Sequence, residues 1–194
     1  MPLIKLQTEI ESSLEICFDL ARSIDLHTIS TAHTKEKAIE GKTTGLIGLG
    51  EVVTFEATHF GIKQRLSAQI TDYNRPYYFK DELIKGAFKS LTHIHQFEYV
   101  GDKVLMTDLF EFESPFGFLG KLANYLFLTK YMTKLLSERN RIIKEFAESD
   151  RYKEVLNRSH LDFLIFLIAM IMNAIKLNPI QLEIVVSKRF NKDL

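Results

Sequence analysis

Residues 114–149, SPFGFLGKLANYLFLTKYMTKLLSERNRIIKEFAES, restrict what this chain can fold into more than any other stretch. Ser114 and Pro115 read as a helix start, a hydroxyl able to cap orphan amides followed by a residue suited to the first turn. From Leu119 apolar residues recur at helical spacing through Leu122, Leu126, Met132, Leu135, Ile142, Ile143 and Phe146, while Lys130, Lys134, Glu138, Arg141, Lys144 and Glu145 supply a solvated face. The pattern predicts one long amphipathic helix. Between Phe116 and Leu128 only Lys121 and Asn124 are strongly polar, so the first half of that helix needs cover from more than one side.

The preceding sequence supplies a sheet. Residues 3–10 alternate, with Ile4, Leu6, Thr8 and Ile10 on one face, which predicts a strand with that face on the core. Ser12 and Ser13 can cap a short helix through Leu14, Ile16, Phe18 and Leu20, and Ser23 a second one to about Thr31. From Lys37 to Glu113 the texture is β-rich, with candidate strands over 37–41, 50–60, 62–73, 77–85, 91–99 and 103–112. Turn residues separate them, among them His59-Phe60-Gly61, Asn74-Arg75-Pro76, Gly86 and Gly101-Asp102. Short turns between successive strands make an antiparallel meander, about seven strands with the first one included.

A side-chain period of two sorts the faces. One face collects Phe55, Ala57, Gln64, Leu66, Ala68, Ile70, Tyr77, Phe79, Asp81, Leu83, His93, His95, Phe97, Met106, Asp108, Phe110 and Phe112, and is taken as the side that meets the long helix. Four charged or titratable residues, Asp81, His93, His95 and Asp108, stand on this otherwise apolar face. Such groups need partners in an apolar setting, so they form either a satisfied structural network or the polar anchor of a pocket.

This order of elements resembles the START-like superfamily, also called SRPBCC, and in particular its polyketide cyclase/lipid-transport branch. The similar stretches are residues 50–57 (GEVVTFEA) with the His59-Phe60-Gly61 bend, Gly86-Ala87-Phe88 ahead of the 93–97 strand, Asp108 to Phe112 before Ser114-Pro115-Phe116-Gly117, and the end of the closing helix. The resemblance implies an α+β helix-grip fold, a curved antiparallel sheet of about seven strands around a long C-terminal helix, with two short helices after the first strand. It covers residues 1–149, the expected ligand-binding domain. It implies binding or transport of a hydrophobic small molecule, a lipid, isoprenoid or polyketide-like compound, between sheet and helix. The pocket-lining candidates are Phe55, Phe79, Asp81, His93, His95, Phe97, Met106, Asp108, Phe110, Leu122 and Leu126. No universal catalytic residue transfers from the superfamily.

The four polar residues admit two sharper chemistries. General acid-base catalysis by His93 or His95 with Asp81 or Asp108, as a polyketide cyclase/dehydratase-like enzyme would use, is the alternative function, and a regulatory interaction protein the second alternative. A metal shell from the same residues lacks any accompanying His-x-x-x-His or cysteine ligand, so neither metal nor cofactor is expected. GLIGLG at residues 45–50 runs into β-like sequence with no helix to cap a phosphate, and is expected at the pocket rim.

Composition narrows the partners. Lys+Arg and Asp+Glu are each 25, for a formal net charge of zero, which leaves no basic field to recruit nucleic acid. Cys17 is the single cysteine, within an apolar helical run, and reads as an inert packed thiol of a cytoplasmic protein. Residues 150–194 form an extension. Its segment 161–177, LDFLIFLIAMIMNAIKL, would reach about 25 Å as a helix against a hydrocarbon core of about 30 Å, so it is a candidate for membrane contact or for packing on the domain.

Overall fold

Side-chain alternation between turn residues produces seven strands, β1 (Leu3–Ile10), β2 (Lys37–Gly41), β3 (Val52–His59), β4 (Ile62–Asn74), β5 (Tyr78–Lys85), β6 (Ser90–Val100) and β7 (Lys103–Glu113). The computed structural model describes residues 1–115 and 117–157. The strands form one antiparallel sheet in the order β1-β7-β6-β5-β4-β3-β2. Consecutive strands are therefore neighbours from β2 to β7, and β1 closes onto β7. The register shifts twice in β4, between Ser67 and Ala68 and between Ile70 and Asp72, and each irregularity bends the strand and helps curl the sheet.

Two short helices follow β1. Ser13 Oγ accepts from the amide of Ile16 at 3.3 Å to cap α1 (Leu14–Ala21), and Ser23 Oγ accepts from Leu26 at 3.2 Å to cap α2 (Ile24–Ser30). On α1 the fully buried Phe18 stands edge-on to Tyr73, Phe79 and Phe97 with ring centroids 5.3 to 5.5 Å apart, and organises the larger core. A smaller cluster gathers Ile4, Leu91, Phe110, Phe112 and Leu136.

The closing helix differs from the single regular rod expected from its sequence. It runs as α3 (Gly117–Ala123), a π-helical turn over Asn124–Leu128, and α4 (Thr129–Ala147). The Ser114 hydroxyl donates to Oδ1 of the buried Asn124, and the wider turn begins at that asparagine. A π turn inserts about one residue into the helical phase, which decides below which side chains meet the sheet. The buried stripe of α4 is Leu136, Arg139, Asn140, Ile143, Phe146 and Ala147. The helix ends at Ala147 and is followed by a separate short helix, α5 (Tyr152–Leu156), that buries Val155. Tyr77, assigned by alternation to the concave face, is 53% exposed because β5 starts one residue later, after the Arg75-Pro76 turn.

The chain divides into two units, Met1–Leu156 and Asn157–Leu194. The apolar segment 161–177 lies outside the described residues. Among the described residues no helix is long and apolar enough to cross a membrane.

Candidate functional site

Antiparallel pairing brings the polar residues of the concave face together. Asp81 of β5 pairs with His93 of β6, and His95 of β6 pairs with Asp108 of β7, so four side chains from three adjacent strands converge. The His93 and His95 ring centroids are 3.8 Å apart, and Phe79 stacks on His95 at 4.1 Å.

Asp108, fully buried, is the hub. His93 Nε2–H donates to its Oδ1 at 2.9 Å, and Asn140 Nδ2–H donates to its Oδ2 at 2.7 Å. His95 Nδ1 lies 2.8 Å from the same Oδ1, an ion-pair distance, although its alignment falls outside that of a hydrogen bond. Arg139 Nη1 stands 3.9 Å from Oδ1, while Arg139 Nη2–H donates to the carbonyl of Ala21 at 2.6 Å. On its far side His95 Nε2 faces Asp81 Oδ1 at 3.3 Å.

Burial and charge act in opposite senses here. Burial alone would raise Asp108, but the neighbouring His95 and the bond from His93 outweigh it and hold the carboxyl well below its ordinary value. Asp81 is likewise lowered, burial being overcome by its bond from His95. Burial also works against a charge on His95, yet Asp108 and Asp81 outweigh it and raise the ring above its ordinary value. His93 is lowered to about 4 by burial and by the neighbouring His95, and is the neutral ring.

Against this cluster lies a cavity of about 490 Å³. Its apolar wall comes from Phe55, Ala57, Leu66, Ala68, Ile70, Phe79, Leu91 and Phe110 of the sheet and from Leu128, Met132, Leu135 and Leu136 of the closing helix. Ile47, from the glycine-rich loop expected at the rim, completes it beside α2. Phe60 and Phe127, 59% and 47% exposed, line the cavity where it meets solvent. There His59 Nδ1 and Tyr131 Oη are 2.7 Å apart. Phe60 occupies the left-handed region, φ 53°, as the first residue of the two-residue β3–β4 turn, a position where a bulky side chain is uncommon.

Of the residues singled out from sequence, Phe55, Phe79, Asp81, His93, His95 and Phe110 line this cavity. Asp108 sits behind the histidines. Phe97 and Met106 are buried in the core around Phe18, away from the cavity wall. Leu122 and Leu126, expected to face the sheet, are instead 43% and 64% exposed. The π turn changes the phase of the helix, so Phe127, Leu128, Tyr131 and Met132 face the cavity. Arg139 and Asn140 escaped the sequence reading, although both fall on the stripe that joins Leu136 to Ile143.

Asp81, His93 and His95 place one ligating atom each within 4.8 Å of one another, the spacing of a metal-binding group. Their charges fit a proton better than a cation. His95 already lies between the Asp81 and Asp108 carboxylates, and the Arg139 guanidinium 3.9 Å from Asp108 brings a positive charge that an added cation would meet.

No family model matches the sequence, and no curated protein matches it. Solved structures do. TTHA0849 from Thermus thermophilus superposes with a TM-score of 0.61 at 14% identity, over 74% of this chain and 95% of that one. The KanY protein gives 0.61 at 10% identity, over 77% and 100%. Ginseng major latex-like protein 151 from Panax ginseng gives 0.56 at 17% identity, over 76% and 98%. The fold is the START-like, SRPBCC helix-grip fold, as the sequence resemblance implied.

Proposed function

We propose that residues 1–149 form a domain that binds or carries an apolar small molecule, a lipid, isoprenoid or polyketide-like compound, in the cavity between sheet and closing helix. The single observation that carries this is the cavity itself, about 490 Å³ with a largely aliphatic and aromatic wall and one fixed polar end, the usual construction of a small-molecule site. A domain of this size fills its interior with its own side chains unless the space is used. Mass spectrometry of small molecules retained by natively purified protein tests it. A recurrent apolar compound released on denaturation is the expected result; empty protein that takes up none from a mixed lipid and isoprenoid extract would refute it.

One observation favours acid-base chemistry as the second reading, His93 at the cavity wall with its Nε2 held by the Asp108 carboxylate at 2.9 Å, a pairing that fixes the tautomer of a proton-transfer group. Turnover of a polyketide-like substrate, lost in His93→Phe, would establish an enzyme. A cytoplasmic location, and membrane contact through residues 161–177, complete the proposal; fractionation of full-length and 1–149 protein separates the two.

A further inference from the structure

His93 and His95 differ in what they leave open to the cavity. Asp108 is fully buried, receives hydrogen bonds from His93 and Asn140, and faces His95; a carboxylate ringed by donors is ionised and accepts only. The His93 proton is therefore fixed on Nε2, and the neutral ring carries its lone pair on Nδ1. Among the described residues no hydrogen bond reaches that Nδ1, yet it is not one of the buried atoms left without a partner, whereas His95 Nδ1 and Arg139 Nη1 are. Asp81, with a side chain 21% exposed, adds carboxylate oxygen, again an acceptor. At this end of the cavity His93 Nδ1 and the Asp81 carboxylate supply acceptors, while the N–H groups of His93 and His95 face Asp108 and Asp81 and one Arg139 N–H is held by the Ala21 carbonyl.

We infer that the cavity selects hydroxylated apolar molecules, phenols or alcohols, whose O–H donates to Nδ1 of His93. An ether or ester of the same skeleton leaves that nitrogen covered without a donor, and a carboxylate brings a second negative charge beside Asp81. The inference rests on the proposal that the cavity takes apolar ligands at all, and adds which ones.

Calorimetric titration of the full-length protein with 2-naphthol, 2-methoxynaphthalene and 2-naphthoate tests it, because the three share a ring system and differ at one group. The phenol is expected to bind roughly tenfold tighter than the ether, the naphthoate weakest. Nitrogen-15 spectra should show the His93 Nδ1 resonance moving with 2-naphthol and not with the ether, while Nε2 keeps its proton; His93→Phe should bring phenol and ether to equal affinity. An ether that binds wild-type protein as tightly as the phenol overturns the inference and leaves the cavity proposal standing. If none of the three binds, the cavity proposal falls and this inference with it.

Discussion

His93 gives its Nε2–H to Asp108 at 2.9 Å from the strand next door, in a place where neither side chain meets bulk water. A helix more than thirty residues further on adds Asn140 to the same carboxylate, so sheet and helix are joined through one buried charge. The cavity's polar end is as fixed as that junction.

Asp108→Asn removes the charge while keeping the shape. His95 then loses the partner that keeps it protonated, and Arg139 loses its nearest carboxylate. Breaking such a buried pair is expected to cost about 3–5 kcal/mol in urea unfolding. A loss below about 1 kcal/mol would show that the network does not hold the fold together.

Stability should peak near pH 6.5. His93, faced by His95, Asp108 and Asp81, is held at about 4, below its unfolded value, so its contribution is complete above pH 6.5 and is lost as pH falls toward 4. His95 is raised, so its contribution is complete below pH 6.5 and is lost as pH rises through its folded value. Urea midpoints measured across this range in wild type and in His93→Phe are expected to show the acid limb flattened in the variant. An ordinary titration of His93 near 6.5 by NMR would contradict the assignment.

Cys17 is fully buried, and burial, with Glu148 nearby, pushes its thiol up to about 12. The thiolate is the reactive form, so iodoacetamide is expected to leave the native protein unlabelled for hours and to label it promptly in denaturant. Fast native labelling would mean that α1 opens.

Phe18→Ala removes the ring that Tyr73, Phe79 and Phe97 surround. A cavity at so closed a position is expected to cost about 3–5 kcal/mol by chemical denaturation. A cost under 1 kcal/mol would move the centre of the core elsewhere.

The architecture was legible in the sequence because its signals are local and repeated. Alternation ending at turn residues gave the strands, Ser13 and Ser23 marked the helix starts, and period-two faces placed Asp81, His93, His95 and Asp108 on one side. Their meeting needed register as well, since only the pairing of β5, β6 and β7 makes Asp81 the neighbour of His93 and Asp108 that of His95. Leu122 and Leu126 were misplaced because a regular 3.6 period was carried through Asn124–Leu128, where a buried asparagine tied to Ser114 widens the helix. Arg139 and Asn140 were passed over because polar residues on a helix are read as its wet face; their burial follows from a partner, Asp108, far away in sequence.

The open space between sheet and helix carries the whole account, and an uncharged fluorescent probe measures it most directly. Titration of the full-length protein with N-phenyl-1-naphthylamine is expected to give saturable, one-to-one enhancement, weakened at least tenfold in Ala68→Phe, whose ring would occupy the cavity wall, with the unfolding midpoint little changed. No enhancement in the wild type, or equal enhancement in the filled variant, would contradict it.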